Sequence, residues 1–62
     1  MEKLSIEAIR TQLEMTQEDM AKAIGISVPT YIQKVKKRSE WKGSELNKIS
    51  LISGMTLDKI DF

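Results

Sequence analysis

The 62-residue chain contains neither cysteine nor histidine. Without cysteine no disulfide can hold it together, and without both residues a zinc site of nitrogen and sulfur ligands is excluded. A chain this short buries only about 60% of the surface that its unfolded form exposes. It therefore depends on a well-packed core, on self-association, or on both. The lack of cysteine fits a reducing compartment. No apolar run has the length of a signal peptide or a membrane span, so a soluble, cytoplasmic protein is expected. Low-complexity segments, internal repeats and linker-like stretches are also missing, which points to one domain over residues 1–62. Catalysis lacks its usual materials: there is no glycine-rich phosphate loop, and no pair of carboxylates falls in an evident pocket. We expect no enzyme, no cofactor and no metal.

Net charge is only +1, but it is unevenly spread. Residues 1–26 carry three basic and five acidic side chains, and residues 27–48 carry six basic against two acidic. Such a basic block is the footprint of a surface that faces phosphates, although a solvated lysine-rich helix face would look the same.

Apolar residues recur at helical spacing almost throughout. Ile6, Ile9 and Leu13 form one stripe of a first helix. Thr16, with Asp19 three residues on, reads as the N-cap of a second, and Met15 with Met20 has the spacing of a hydrophobic staple. Met20, Ala21 and Ile24 give that helix its buried face, and Gly25 suits its left-handed end. Ser27 is the N-cap expected for a third helix. Pro29, the only proline, falls in its first turn, where a missing N–H matters least. Tyr31 and Val35 face inward on it. Arg38-Ser39-Glu40 reads as a loop. A fourth helix begins between Lys42 and Ser44, with Leu46, Ile49 and Ile52 as its stripe and Gly54 at its end. Thr56 can cap a short last helix through Leu57 and Ile60. No segment alternates with period two for long enough to suggest a strand. The expected fold is all-α: five helices, no sheet.

Within this order, Thr16 to Lys37 reads as helix, tight turn, helix. Small Ala21 faces the turn and lets the second helix approach closely. Polar or small side chains face outward at the start of that helix. These are the demands of a helix-turn-helix, whose first helix crosses the phosphate backbone while the second enters the major groove.

The run Thr16-Gln17-Glu18-Asp19-Met20-Ala21-Lys22-Ala23-Ile24-Gly25-Ile26-Ser27 resembles the signature of the phage Cro and repressor-type helix-turn-helix family, also called the xenobiotic-response-element family. Thr30 to Lys34, Glu40-Trp41, Glu45-Leu46, Lys48-Ile49 and Met55 to Ile60 resemble a subgroup common in phages and prophages of low-GC Gram-positive bacteria. The resemblance runs from about Ile6 to the C-terminus. It implies a compact five-helix, lambda-repressor-like domain that binds a double-stranded DNA operator, usually as a homodimer, in the nucleoid of a bacterial host. Gln17 is then a phosphate contact that can also brace the start of the third helix, and Ser27 caps that helix and reaches a phosphate. Val28, Pro29 and Gln33 stand where family members touch base edges, and Thr30 neighbours base or phosphate. Lys34, Lys36, Lys37 and Arg38 flank the groove.

Three positions depart from the family pattern. Val28 and Pro29 replace a polar pair and cannot form the paired hydrogen bonds that read guanine or adenine, although they can touch a thymine methyl. Val35 stands in place of a glutamate, and Lys42 in place of a serine or threonine cap. Among the other residues, Trp41 is expected to plug the core against Leu46. Tyr31 is expected in the core with its hydroxyl at the surface. Ile60 and Phe62 either complete the core or form a dimer seam. The favoured function is that of a Cro-like repressor or switch protein, preferred because no second domain is visible. The rival is a protein-binding modulator that keeps the fold but docks on a phage repressor. An excisionase or antitoxin subunit ranks below both.

Overall fold

The computed structural model describes residues 2–37 and 41–62. Its helices are α1 (Ile6–Gln12), α2 (Gln17–Ile24), α3 (Val28–Lys37) and α4 (Gly43–Ser53), followed by a 3-10 turn at Leu57–Lys59. Two short strands, β1 (Leu4–Ser5) and β2 (Ile60–Asp61), pair in parallel with Leu4 opposite Ile60 and Ser5 opposite Asp61.

This corrects the expectation of five helices and no sheet. Thr56 does precede a helical turn, but the turn lasts three residues and Ile60 leaves it with extended dihedrals, φ −102° and ψ 126°. Ile60 is only 1% exposed. It reaches the core by laying its backbone beside that of Leu4, not by continuing a helix. Strands of two residues are too short to show an alternating pattern, so no period-two signal exists to be read.

The helix ends follow from local chemistry. Ser5 caps α1 by accepting the Ala8 N–H at 3.1 Å. Thr16 and Asp19 form a full capping box on α2, each side chain accepting the other's backbone N–H at 3.0 Å. Lys42 caps α4 in extended conformation. An ammonium group has no acceptor, so only the reverse half of a box forms: Glu45 Oε1 accepts the Lys42 N–H at 2.9 Å. Gly54 ends α4 at φ 72°.

The core joins Ile6 and Ile9 of α1, Met20, Ala21 and Ile24 of α2, Tyr31 of α3, Leu46 and Ile49 of α4, and Ile60 of β2. Of the two C-terminal residues left open by the sequence, Ile60 belongs to this core and Phe62 is exposed. Two stripes end earlier than their periodicity suggests. Leu13 and Ile52 are 36% and 38% exposed. Leu13 already lies in the turn after α1, and Glu14 beyond it takes a left-handed φ of 56°.

Candidate nucleic-acid interface

The turn between α2 and α3 is built from both sides. Gly25 ends α2 at φ 88°, and the N–H groups of Gly25 and Ile26 both donate to the Ala21 carbonyl, at 2.9 and 3.0 Å. Ala21 itself is 1% exposed. Ser27 starts α3: its hydroxyl accepts the Thr30 N–H at 3.3 Å, and its carbonyl accepts the Tyr31 N–H at 2.9 Å. From α4, the Lys48 ammonium donates to the Ile24 carbonyl at 3.1 Å. A cation at the negative end of α2 is favourable, and it pins the turn to the body of the domain. A left-handed φ at a residue with a Cβ costs roughly 1–2 kcal/mol. A Cβ on Gly25 would meet only the flexible tip of Lys48, at 3.4 Å. Gly25→Ala is therefore expected to lower stability by about that backbone term, read from urea unfolding followed by circular dichroism.

Two polar clusters hold α3 from behind. In the first, the Glu7 carboxylate accepts from Arg10 Nε at 2.9 Å and Nη2 at 3.3 Å, and from the Tyr31 hydroxyl at 2.5 Å. Arg10 Nη1 continues to the Met15 carbonyl at 2.7 Å. One carboxylate thus ties α1, the loop before α2 and the middle of α3. The Arg10 guanidinium lowers the Glu7 pKa, with burial opposing it and the side chains of Tyr31 and Gln17 adding to it. Tyr31 is fully buried, and burial together with the Glu7 carboxylate raises its pKa. Its ring is in the core as expected, but its hydroxyl is bound to Glu7 and does not lie at the surface.

In the second cluster, the Lys34 ammonium sits 3.0 Å from Glu45 Oε1 and 5.8 Å from the centre of the Trp41 ring. The Lys34 and Glu45 side chains are only 12% and 9% exposed. Burial pushes the Glu45 pKa up, but the Lys42 N–H and Lys34 outweigh it, and the net shift is downward. Trp41 is half-buried against the core and meets Tyr31 edge-on, with centroids 6.1 Å apart and planes at 67°.

The outward face of α3 keeps most of the residues expected on it. Ser27, Pro29, Gln33, Lys36 and Lys37 are exposed, while Val28, Thr30 and Ile32 are half-buried. Thr30 Oγ1 accepts from the Ser27 hydroxyl at 2.8 Å. Gln17, at the start of α2, is half-buried beside Glu7. Lys34 departs from the expected arrangement: its ammonium turns inward onto Glu45. Lys48 also spends its ammonium on the domain, at the Ile24 carbonyl, although its residue is exposed, as are Lys36, Lys37 and Lys42. Arg38, and the loop read at residues 38–40, lie outside the described residues. Glu7, Arg10, Glu45 and Lys48 were missed by the sequence reading. Glu45 did carry a signal, because an acid beside Leu46 and four residues before Ile49 stands on a buried stripe and calls for a buried cation.

A helix-turn-helix family model matches residues 6–60. The chain belongs to this family. The helix-turn-helix family, of Cro/C1 type, is one of DNA-binding regulatory domains. Its match covers α1 to Ile60, so the polar clusters behind α3 fall inside the helix-turn-helix domain. No curated protein and no solved structure matches the chain significantly. No helix among the described residues is long and apolar enough to cross a membrane.

Proposed function

We propose that this helix-turn-helix protein is a Cro-like transcriptional regulator that binds a phage or prophage operator as a homodimer and represses or switches its promoters. The observation that carries the proposal is the outward face of α3, where Pro29, Gln33, Lys36 and Lys37 stand exposed on a helix fixed from behind by Glu7 and Glu45. A rigid helix with small and amide side chains at its start and cations at its end can enter a major groove and meet the flanking phosphates. Ser27 and Gln17, at the starts of α3 and α2, face the backbone on either side in this reading. A single short helix reads few base pairs. Two copies on a pseudo-palindromic site would place their helices about 34–36 Å apart, a separation compatible with a body measuring 31 × 24 × 18 Å. Its place of action is then the nucleoid of the host cell.

The test is a titration of the purified protein against DNA from its own promoter region at two salt concentrations. We expect a footprint with two-fold symmetry and an affinity that falls steeply with salt. Each lost phosphate contact lowers the log–log slope by about 0.9. Replacing both Lys36 and Lys37 with alanine should therefore reduce the slope by about 1.8 per protomer and weaken binding to all sequences alike. An unchanged slope would make these lysines a solvated face that complements only the helix C-terminus.

One observation favours a second reading. The tip of α3 is apolar, with Val28 and Pro29 where a polar pair would bind bases most directly. In that reading the tip docks on a phage repressor. Co-purification with a second regulator, and no footprint at low salt, would replace the first reading with this one.

A further inference from the structure

Among the described side chains, the first two turns of α3 keep few polar groups uncommitted, chiefly the Gln33 carboxamide and the Thr30 hydroxyl proton. Tyr31 has spent its hydroxyl on Glu7. Ser27 donates its hydroxyl to Thr30 and accepts the Thr30 N–H. Lys34, the first cation of the helix, is held by Glu45. No acidic residue occurs anywhere between Val28 and Lys37. Guanine is read in the major groove by arginine or lysine, and cytosine by a carboxylate. Neither kind of reader faces outward on these two turns. What does face outward is Gln33 and Pro29, both exposed, beside half-buried Val28, Thr30 and Ile32, of which Val28 and Ile32 also pack against the core. A carboxamide pairs with the N6 and N7 atoms of adenine, and apolar groups pack on the thymine methyl.

We infer that the half-site read by α3 is built of A·T pairs, with one adenine opposite Gln33 and one thymine methyl against Pro29 and Val28. The inference rests on the DNA-binding reading above and specifies its ligand. The spacing follows from geometry. Pro29 and Gln33 are four residues apart on one face, about 6 Å along the axis at 1.5 Å per residue. Along a groove with a rise of about 3.4 Å per base pair, that is about two base steps. Sequence preference then comes from one amide and one apolar contact, while the lysines at the end of the helix set affinity without choosing bases.

The experiment uses the full chain and a pool of randomised DNA duplexes selected for binding at low salt. The winning duplex is then resynthesised with uracil replacing one thymine at a time. Uracil keeps the base pair and removes only the methyl group. We expect A·T pairs in each selected half-site. One uracil position per half-site should weaken binding about four-fold, the ratio for one apolar carbon withdrawn from contact. Pro29→Ser should narrow the difference between the thymine and uracil duplexes, Val28 keeping part of the contact, and Gln33→Ala should lose its preference for adenine about two steps away. Selected half-sites with G·C at these positions, or wild-type binding that ignores the methyl, would overturn this inference and leave the DNA-binding reading standing. An absence of binding to any duplex at low salt would overturn both.

Discussion

Replacing Lys34 with methionine is expected to destabilise the protein by about 3–5 kcal/mol, the range for removing one partner of a buried ion pair. That is comparable to what a single hydrophobic core supplies to a domain of this size. The expectation comes from Glu45. Its side chain is 9% exposed, and its charge is balanced by Lys34 at 3.0 Å and by the Lys42 N–H at 2.9 Å. With Lys34 gone, a nearly buried carboxylate loses its ion pair and keeps the Lys42 N–H and the more distant Lys42 charge. The double variant Lys34→Met with Glu45→Gln should recover most of the loss, because the amide oxygen can still accept the Lys42 N–H and no charge is left unpaired. Urea unfolding of the four members of this cycle, followed through the single tryptophan beside Lys34, measures the coupling. If Lys34 instead pointed at phosphates, its replacement would leave the unfolding midpoint unchanged and lower DNA affinity alone.

The fate of Lys34 also shows what could be read in the sequence. The helix caps were legible because they depend on residues three or four apart. Thr16 with Asp19, Gly25, Ser27 and Gly54 all act where the sequence placed them. Ala21, Ile24 and Ile49 were legible as core for the same reason. Long-range features were not. β1 pairs with β2 across the whole helical body, and two residues carry no period. The Tyr31 hydroxyl meets Glu7 24 residues away, and Lys48 meets the Ile24 carbonyl across the same separation. Periodicity puts a side chain on a face, but it does not say whether a lysine on the border of that face turns to solvent or to an acid on another helix. Lys34 lies three residues after buried Tyr31, and Glu45 decides its direction. The exposure of Pro29, Gln33, Lys36 and Lys37 follows from their place on the helix, so it could be read from the helix alone.

The second large effect is expected at high pH and belongs to Tyr31. The folded protein holds this phenol neutral, because burial and the adjoining Glu7 carboxylate both disfavour the phenolate and raise its pKa above the ordinary 10.0. In the unfolded chain the same group ionises near 10. Above that pH the unfolded state holds fewer protons than the native state, and stability falls as pH rises. The contribution is fully present below pH 10 and is lost between 10 and the raised folded value, at about 1.4 kcal/mol per pH unit. Because the chain has one tyrosine, its absorbance near the phenolate band reports on this residue alone. Native protein should show no phenolate until it unfolds, so the optical titration should be steep and coincide with loss of helix. Tyr31→Phe should remove this alkaline dependence. At neutral pH it should lower stability by about 1.5–3 kcal/mol, the range for a hydrogen bond to a charged group. At the acid end the pH dependence runs the other way. The Glu7 pKa is lowered in the folded state, chiefly by Arg10. Its contribution is therefore present above the ordinary carboxylate value and disappears as pH falls through the lowered one. Glu7→Gln should weaken that acid dependence while the alkaline one persists, since burial alone still holds the Tyr31 phenol neutral. A wild-type titration with an ordinary midpoint near 10, reached while the helices remain intact, would mean that the Tyr31 hydroxyl is open to solvent and that Glu7 does not hold α3 in place.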